Sequence, residues 1–312
     1  MLNTKKFALL AAVAAFVSVA AGQAATSPTA QDKQLIPFGA KLDPATQMQQ
    51  SRQLAASGAV PGNPQWQTKG DQHRTYKFPA TNVTVGYRLY VPSTWDGKAK
   101  LPMVVMLHGA GSNENQYVDQ NDKQLIRLAE QHGFVLVSPL GYSPMGAYGT
   151  CLRLPAVFGE AEAAVQQRTT QCVQNATALE QSEQDVINVI EMVLHEYPID
   201  RASMFLTGHS MGSGGAWYLG AKYADYWAAI APMSGPFVEE STYPWDRIRR
   251  MPILMTEGTG ATPSLAGSRA MQAWMKAKGF NLEYKEVDAN HGGMVPLVLP
   301  AVFDFFDRVR KK

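Results

Sequence analysis

The chain has 312 residues, 46% hydrophobic and 17% charged, with 28 Lys plus Arg against 26 Asp plus Glu and a formal net charge of +2. That composition supports a packed core and excludes both a disordered chain and a heptad coiled coil. With no basic block there is no electrostatic footprint for nucleic acid, whose binding needs clustered Lys and Arg to displace counterions. The short basic runs from Arg247 to Arg250 and from Arg308 to Lys312 read as solvated ends.

In chain order, the first segment reads as a targeting signal rather than structure. Lys5 and Lys6 precede an uncharged apolar stretch from Phe7 to Ala21, and small residues follow, with a cut expected after Ala24 and Gly22 at minus three. The apolar run falls short of the roughly 20 residues that span a bilayer, so no membrane span is expected after cleavage. The expected destination is secreted or periplasmic, an oxidising compartment where the only two cysteines, Cys151 and Cys172, can pair.

Residues 25–71 are rich in Gln, Ala, Ser and Pro and read as a largely solvated arm or linker, with a short helix available over Pro44–Ala56. The domain proper is expected over 72–312. Thr75–Phe78 and Val83–Val91 alternate as strands, and the apolar run Pro102–Leu107, stopped by His108-Gly109, suits a strand buried on both faces. Thereafter strands and helices alternate. Helices are expected over Gln116–Gln131, Ser182–Tyr197, Gly214–Tyr223, Ser264–Lys278 and Val295–Arg310. Strands are expected over Phe134–Pro139, Ser203–Leu206, Trp227–Met233, Pro252–Met255 and Leu282–Val287. Such alternation implies an α/β fold, a mostly parallel central sheet with helices on both faces and one functional edge at the strand carboxyl ends. A long insertion over 141–181, holding both cysteines, interrupts the pattern at that edge as a lid-like segment.

Three motifs carry chemistry. Gly208-His209-Ser210-Met211-Gly212 stands between an expected strand and helix, the context of a nucleophile elbow, with the Met211 N–H placed to face a developing oxyanion. A serine hydroxyl needs a base. His291, in Asp288-Ala289-Asn290-His291-Gly292-Gly293 after the last strand, reaches the same edge, whereas His73, His132 and His195 read as structural or solvated and His209 as a local hydrogen-bonding group. Leu107-His108-Gly109-Ala110-Gly111-Ser112 supplies a glycine-flexible turn whose Ala110 N–H can pair with Met211 N–H as an oxyanion hole. There is no Gly-Lys-Ser/Thr run and no dinucleotide fingerprint, so neither cofactor nor metal is expected.

These motifs, in this order across about 76–310, resemble the α/β-hydrolase superfamily. Within it, Tyr87-Arg88-Leu89-Tyr90-Val91-Pro92 followed by the apolar strand and His-Gly resembles secreted esterases of the polyhydroxybutyrate depolymerase and feruloyl esterase group. The resemblance implies an α/β-hydrolase fold, Ser210 as nucleophile, His291 as base, and Ala110 with Met211 as oxyanion donors. It also implies a catalytic Asp after the strand that precedes the penultimate helix, but the chain there reads Met255-Thr256-Glu257-Gly258-Thr259-Gly260-Ala261, with Ala261 where an acid is expected. Glu257 is the leading candidate for the acid. Glu239, Glu240 and Asp288 are rivals, and a chain without any acid is the remaining option.

The expected function is therefore that of a secreted serine hydrolase cleaving small or polymeric carboxylic esters through an acyl-enzyme. A serine peptidase and a non-catalytic binding protein of the same fold are the alternatives. Tyr117, Tyr142, Tyr148, Trp217, Tyr243 and Trp245 are candidates for aromatic walls near the edge.

Overall fold

The computed structural model describes residues 40–150, 158, 176–236 and 243–310. Eight strands form one sheet: β1 (Gly70–Lys77), β2 (Thr84–Val91), β3 (Leu101–Leu107), β4 (Val135–Pro139), β5 (Ile199–His209), β6 (Ala229–Met233), β7 (Ile253–Gly258) and β8 (Leu282–Val287). Their spatial order is β1-β2-β4-β3-β5-β6-β7-β8. β2 runs antiparallel to both β1 and β4, and every pairing from β4 to β8 is parallel. The described helices are α1 (Pro44–Ala56), α2 (Gln116–His132), α3 (Ala176–Glu196), α4 (Met211–Lys222), the single turn α5 (Trp245–Ile248), α6 (Leu265–Ala277) and α7 (Met294–Arg310).

The sheet separates two cores, and strand periodicity decides which side chain joins which. Along β3, Leu101, Met103, Val105 and Leu107 enter one core with α3, α4 and α6. Val104 and Met106 enter the other, with α2 and α7. Every β3 residue is buried, as a strand covered on both faces requires. The same split recurs in β4, where Val135 and Val137 face one way and Leu136 the other, and in β5, where Met204 and Leu206 oppose Phe205. Parallel pairing then brings the carboxyl ends of β3, β5, β6, β7 and β8 to one edge, where the motif-bearing turns begin.

Several boundaries depart from the sequence expectation, among them the start of β1 at Gly70 rather than Thr75 and of α4 at Met211 rather than Gly214. β5 starts at Ile199 rather than Ser203, because its first residues pair with β3 beyond the apolar run. Helix α3 starts at Ala176 rather than Ser182. Inside α2 the backbone leaves helical geometry from Gln120 to Lys123, and the helix closes on Gly133 in the left-handed conformation that favours glycine.

Within the segment read as a solvated arm, Ala40 and α1 are docked, whereas residues 60–65 are exposed. Asp43 caps α1 by accepting the Thr46 N–H at 2.8 Å, and Pro44 occupies the first turn, where its missing N–H costs nothing. The buried face of α1 is Gln47, Ser51 and Ala55, at helical spacing, and it lies against α3. The face lacks an apolar stripe because it docks through polar groups. Gln47 Nε2 donates to Ser51 Oγ at 2.9 Å, and Ser51 Oγ donates to Asn188 Oδ1 at 2.6 Å. Residues 1–39, which hold the expected signal, and most of the insertion, with Cys151 and Cys172 and their expected pairing, lie outside the described residues.

Ser51→Ala leaves the Gln47 amide and the Asn188 carbonyl short of a partner in a buried position. A loss of about 1–3 kcal/mol is expected in urea unfolding. A midpoint unchanged from wild type would show that α1 contributes nothing to the stability of the domain.

Candidate active site

The nucleophile candidate is set by backbone strain. Ser210, between β5 and α4, has φ 58° and ψ −114°, a region costing about 1–3 kcal/mol for a non-glycine residue. The flanking glycines make it possible: a Cβ on Gly208 would strike the Gly212 carbonyl group, and one on Gly212 would strike the Leu107 carbonyl oxygen. The Ser210 N–H donates to Met233 O at 3.0 Å, holding the turn to the end of β6. Met211 opens α4, so its N–H has no partner within the helix.

Leu107 pairs with Gly208 across the β3–β5 register, which brings the turn after β3 beside the elbow. Two carbonyls pin that turn: Gly111 N–H donates to Pro144 O at 2.9 Å and Ser112 N–H to Gly109 O at 3.1 Å. The buried His108 ring lies between Gly109 O (2.8 Å from Nδ1) and Leu140 O (2.9 Å from Nε2). Burial holds its pKa below the ordinary value, and the neutral ring donates its one N–H to whichever carbonyl its tautomer faces. Because the peptide is planar and trans, fixing the Gly109 carbonyl also fixes the opposite direction of the Ala110 N–H. Among the described residues, no backbone carbonyl accepts that N–H.

His291 Nε2 lies 2.9 Å from Ser210 Oγ. The ring is half-buried, and burial lowers its pKa below the ordinary 6.5, with the Glu257 charge pulling in the opposite direction. Its backbone is anchored by His209, whose Nε2 lies 2.7 Å from the His291 carbonyl oxygen, while His209 Nδ1 lies 2.7 Å from the Tyr117 hydroxyl. A carbonyl only accepts, so His209 carries its proton on Nε2 and accepts the Tyr117 O–H on Nδ1. Burial, followed by the neighbouring His291, holds His209 down to about 3, and it serves as a neutral brace at working pH.

On the far side of His291, no carboxylate among the described residues makes contact. Nδ1 instead lies 2.7 Å from Ser234 Oγ, a fully buried serine after β6 with φ 61°. Glu257, the candidate acid, is also fully buried but does not reach the imidazole. Its Oε1 accepts the Gly258 N–H at 3.0 Å, and its Oε2 accepts the hydroxyls of Ser264 at 2.8 Å and Ser268 at 2.7 Å. Ser264 precedes α6 and Ser268 follows one turn later, so both hydroxyls face the same carboxylate. Ser264 Oγ in turn lies 3.3 Å from Ser234 Oγ. The side chain of Glu257 leaves β7 too early, and is spent on α6, to make the direct contact expected of it.

Asp288 is exposed and meets only the Thr259 hydroxyl, at 3.5 Å. Glu239 and Glu240 lie outside the described residues. Of the candidate aromatic walls, Tyr148 and Trp217 are fully buried and Tyr243 and Trp245 nearly so, all within the core on the α4 side. Tyr142 leans on Phe78, the Tyr148 hydroxyl donates to the His108 carbonyl oxygen at 3.1 Å, and the Tyr117 hydroxyl bonds to His209. Sequence reading missed Ser234 and Ser264, and took Tyr117 as an aromatic wall rather than as the partner of His209. The available signals were a Ser-Gly pair directly after β6 and two serines at i, i+4 facing a strand that ends in Glu. Among the described residues no group of three or more His, Cys, Asp or Glu side chains is placed to hold a metal, and no helix is long and apolar enough to cross a membrane.

A family model for esterases matches residues 79–298. A bifunctional acetylxylan esterase/xylanase of Neocallimastix patriciarum is 26% identical over 171 residues, which cover 55% of this chain and 20% of that one; the chain thus spans about a fifth of that relative's length. A solved thermostable esterase superposes with a TM-score of 0.56 at 24% identity, covering 76% of this chain and 62% of the other. A ferulic acid esterase of Anaeromyces mucronatus superposes with a TM-score of 0.53 at 18% identity, covering 80% of this chain and 92% of the other. Likeness at these identities carries the fold, an α/β-hydrolase sheet with its helices.

Tyr117→Phe keeps the ring and removes the hydroxyl that braces His209. Labelling of Ser210 by a fluorophosphonate should slow about fivefold, the equivalent of roughly 1 kcal/mol for one hydrogen bond. An unchanged labelling rate would show that the brace does not control the position of His291.

Proposed function

Because the chain belongs to the Esterase family, we propose that it hydrolyses carboxylic esters through an acyl-enzyme formed on Ser210. The observation that carries this reading is the 2.9 Å contact between Ser210 Oγ and His291 Nε2 at the carboxyl edge of the sheet. As Ser210 attacks the ester carbonyl carbon, its proton passes to His291 Nε2. The carbonyl π pair moves onto oxygen, where the Ala110 and Met211 N–H groups would receive it. Collapse of the tetrahedral species breaks the C–O bond, and the alcohol leaves with the proton from His291. Water then repeats the cycle on the acyl-enzyme.

The export signal supports a secreted or periplasmic location, with Cys151 paired to Cys172 in the insertion. The named relatives act on acetylxylan and ferulic acid esters, so acyl groups carried on plant polysaccharide are the first substrates to try, with polyhydroxybutyrate beside them. A panel of nitrophenyl acetate, feruloyl esters, acetylated xylan and polyester film ranks these by kcat/KM.

Ser210→Ala should lose fluorophosphonate labelling altogether and lower kcat by at least about 10³-fold. Labelling that survives in Ser210→Ala, or a wild type that neither labels nor cleaves any ester, would favour the non-catalytic protein.

A pH profile tests the base. His291 must be neutral to accept the serine proton, and burial has lowered its pKa, so kcat/KM should be lost as pH falls, with a midpoint below 6.5. A rate flat down to about pH 4 would remove His291 from the mechanism.

A further inference from the structure

A base flanked by a carboxylate has its tautomer settled, because a carboxylate only accepts and Nδ1 must then carry the proton. His291 is flanked by a hydroxyl, which can do either. If Ser234 donated to Nδ1, the proton would sit on Nε2 and the ring could not take one from Ser210. Something else has to fix the direction.

Beyond Ser234 there is a sequence of groups with only one productive orientation. Ser264 Oγ lies 2.8 Å from Glu257 Oε2, and all three close partners of Glu257 are donors. The hydrogen of Ser264 is therefore committed to the carboxylate, and at the Ser234–Ser264 contact of 3.3 Å the donor has to be Ser234. With its own hydrogen directed to Ser264, Ser234 presents a lone pair to Nδ1 at 2.7 Å. The backbone holds the geometry: Ser234 N–H donates to Thr256 O at 2.8 Å, fixing the turn after β6 to the strand that carries Glu257.

We propose that Glu257 acts on His291 at a distance, through the hydroxyls of Ser264 and Ser234, selecting the Nδ1–H tautomer and stabilising the imidazolium in place of a directly bonded acid. This rests on the serine-hydrolase reading above. No proton travels along the relay. When His291 Nε2 takes the Ser210 proton, Nδ1 keeps its own, each hydroxyl keeps its own, and Glu257 remains a carboxylate. Ser234, Ser264 and Glu257 are positioning residues, since none touches the reacting atoms. Among the described residues, the charged or titratable groups that act on His291 are Glu257 from β7 and the neutral His209 from β5.

The relay should be weaker than direct contact. The hydroxyl-to-hydroxyl contact is longer than the usual 2.5–3.0 Å. A unit charge about 8 Å away at an effective dielectric of about 20 shifts an equilibrium by roughly 30-fold, against about 10⁴-fold for loss of a direct acid in serine proteases.

The test uses three single variants. Ser264→Ala cuts the relay and leaves the Glu257 charge, Glu257→Gln removes the charge and lets an amide donate toward Ser264, and Ser268→Ala removes a Glu257 contact that lies off the relay. Expected are a kcat about 10- to 100-fold lower in the first two with KM within about twofold, and a kcat within about threefold of wild type in Ser268→Ala. Ser264→Thr, which restores a hydroxyl, should recover most of the loss. The acid limb of kcat/KM should move to lower pH in Glu257→Gln, because the carboxylate favours the charged ring. Nitrogen-15 spectra of histidine should show His291 as the Nδ1–H tautomer in wild type and as a mixture in Ser264→Ala. Equal effects of Ser264→Ala and Ser268→Ala, or an unchanged tautomer in both, would make Glu257 a structural anchor and overturn the relay. Absence of fluorophosphonate labelling in wild type would instead overturn the serine-hydrolase reading, while the tautomer spectrum, which needs no turnover, still decides the relay.

Discussion

The conformation of one residue constrains the whole edge. Ser210 can sit at φ 58° only if the backbone on either side passes without Cβ atoms, and the space freed at Gly212 is filled by the Leu107 carbonyl oxygen. The same contact sets how closely β3 approaches the elbow, and therefore where the turn carrying Ala110 begins. Strain of about 1–3 kcal/mol is small against a sheet whose central strands are buried on both faces. It is held because β5 is bonded to β3 on one side and β6 on the other, and Ser210 N–H itself bonds to Met233 O. Elbow, oxyanion turn and the serine after β6 are thus one mechanical unit.

The insertion side of the site is fastened differently, by buried charge. Asp185 on α3 accepts the Tyr76 hydroxyl at 2.6 Å and the Tyr142 N–H at 2.8 Å, and burial raises its pKa to about 6. Tyr142 begins the segment whose Pro144 carbonyl receives the Gly111 N–H, so the carboxyl group is two contacts from the oxyanion turn. Two residues earlier on the same helix, and on another face of it, the fully buried Glu183 pairs with Lys222 at 2.8 Å and accepts the Tyr218 and Tyr223 hydroxyls at 2.5 Å. Breaking such a pair strands a charge in a dry interior and costs far more than the pair contributes to stability. These groups therefore specify where α3 and α4 sit more than they stabilise the fold.

What could be read in the sequence follows how local the determinant is. Ser210 was legible because its environment, two glycines between an apolar strand and a helix, is written in five adjacent residues. His291 was legible because a base must come after the last strand, and few histidines compete. The sheet was legible in β3, where both faces are apolar. The partner of His291 was not. Ser234 and Glu257 come together only through the register between β6 and β7, and a serine after a strand carries no signal that it stands where an acid is expected. Nor was the docking of α1, since Gln47 and Ser51 form a buried polar face that composition presents as solvated. Glu257, read as the leading candidate for the acid, does not contact His291: its carboxylate ends among Ser264, Ser268 and its own strand end, because α6 starts close enough to claim it.

In the proposed reaction, a hydroxyl beside the imidazole also changes what kind of base His291 would be. A direct carboxylate raises a histidine pKa and so strengthens the base, while narrowing the pH range in which it is neutral. Here burial dominates and the opposing charge of Glu257 acts from beyond two serines, so the pKa lies below its ordinary value. A ring in that state is a weaker proton acceptor but stays neutral, and available, further into the acid range. The neutral His209, anchored on Tyr117, adds no positive charge to oppose the imidazolium while it fixes the His291 backbone. In the proposed reaction, position is supplied by neutral groups and the Glu257 charge is kept at a distance, which places the burden on alignment and on the Ala110 and Met211 N–H groups proposed to receive the oxyanion.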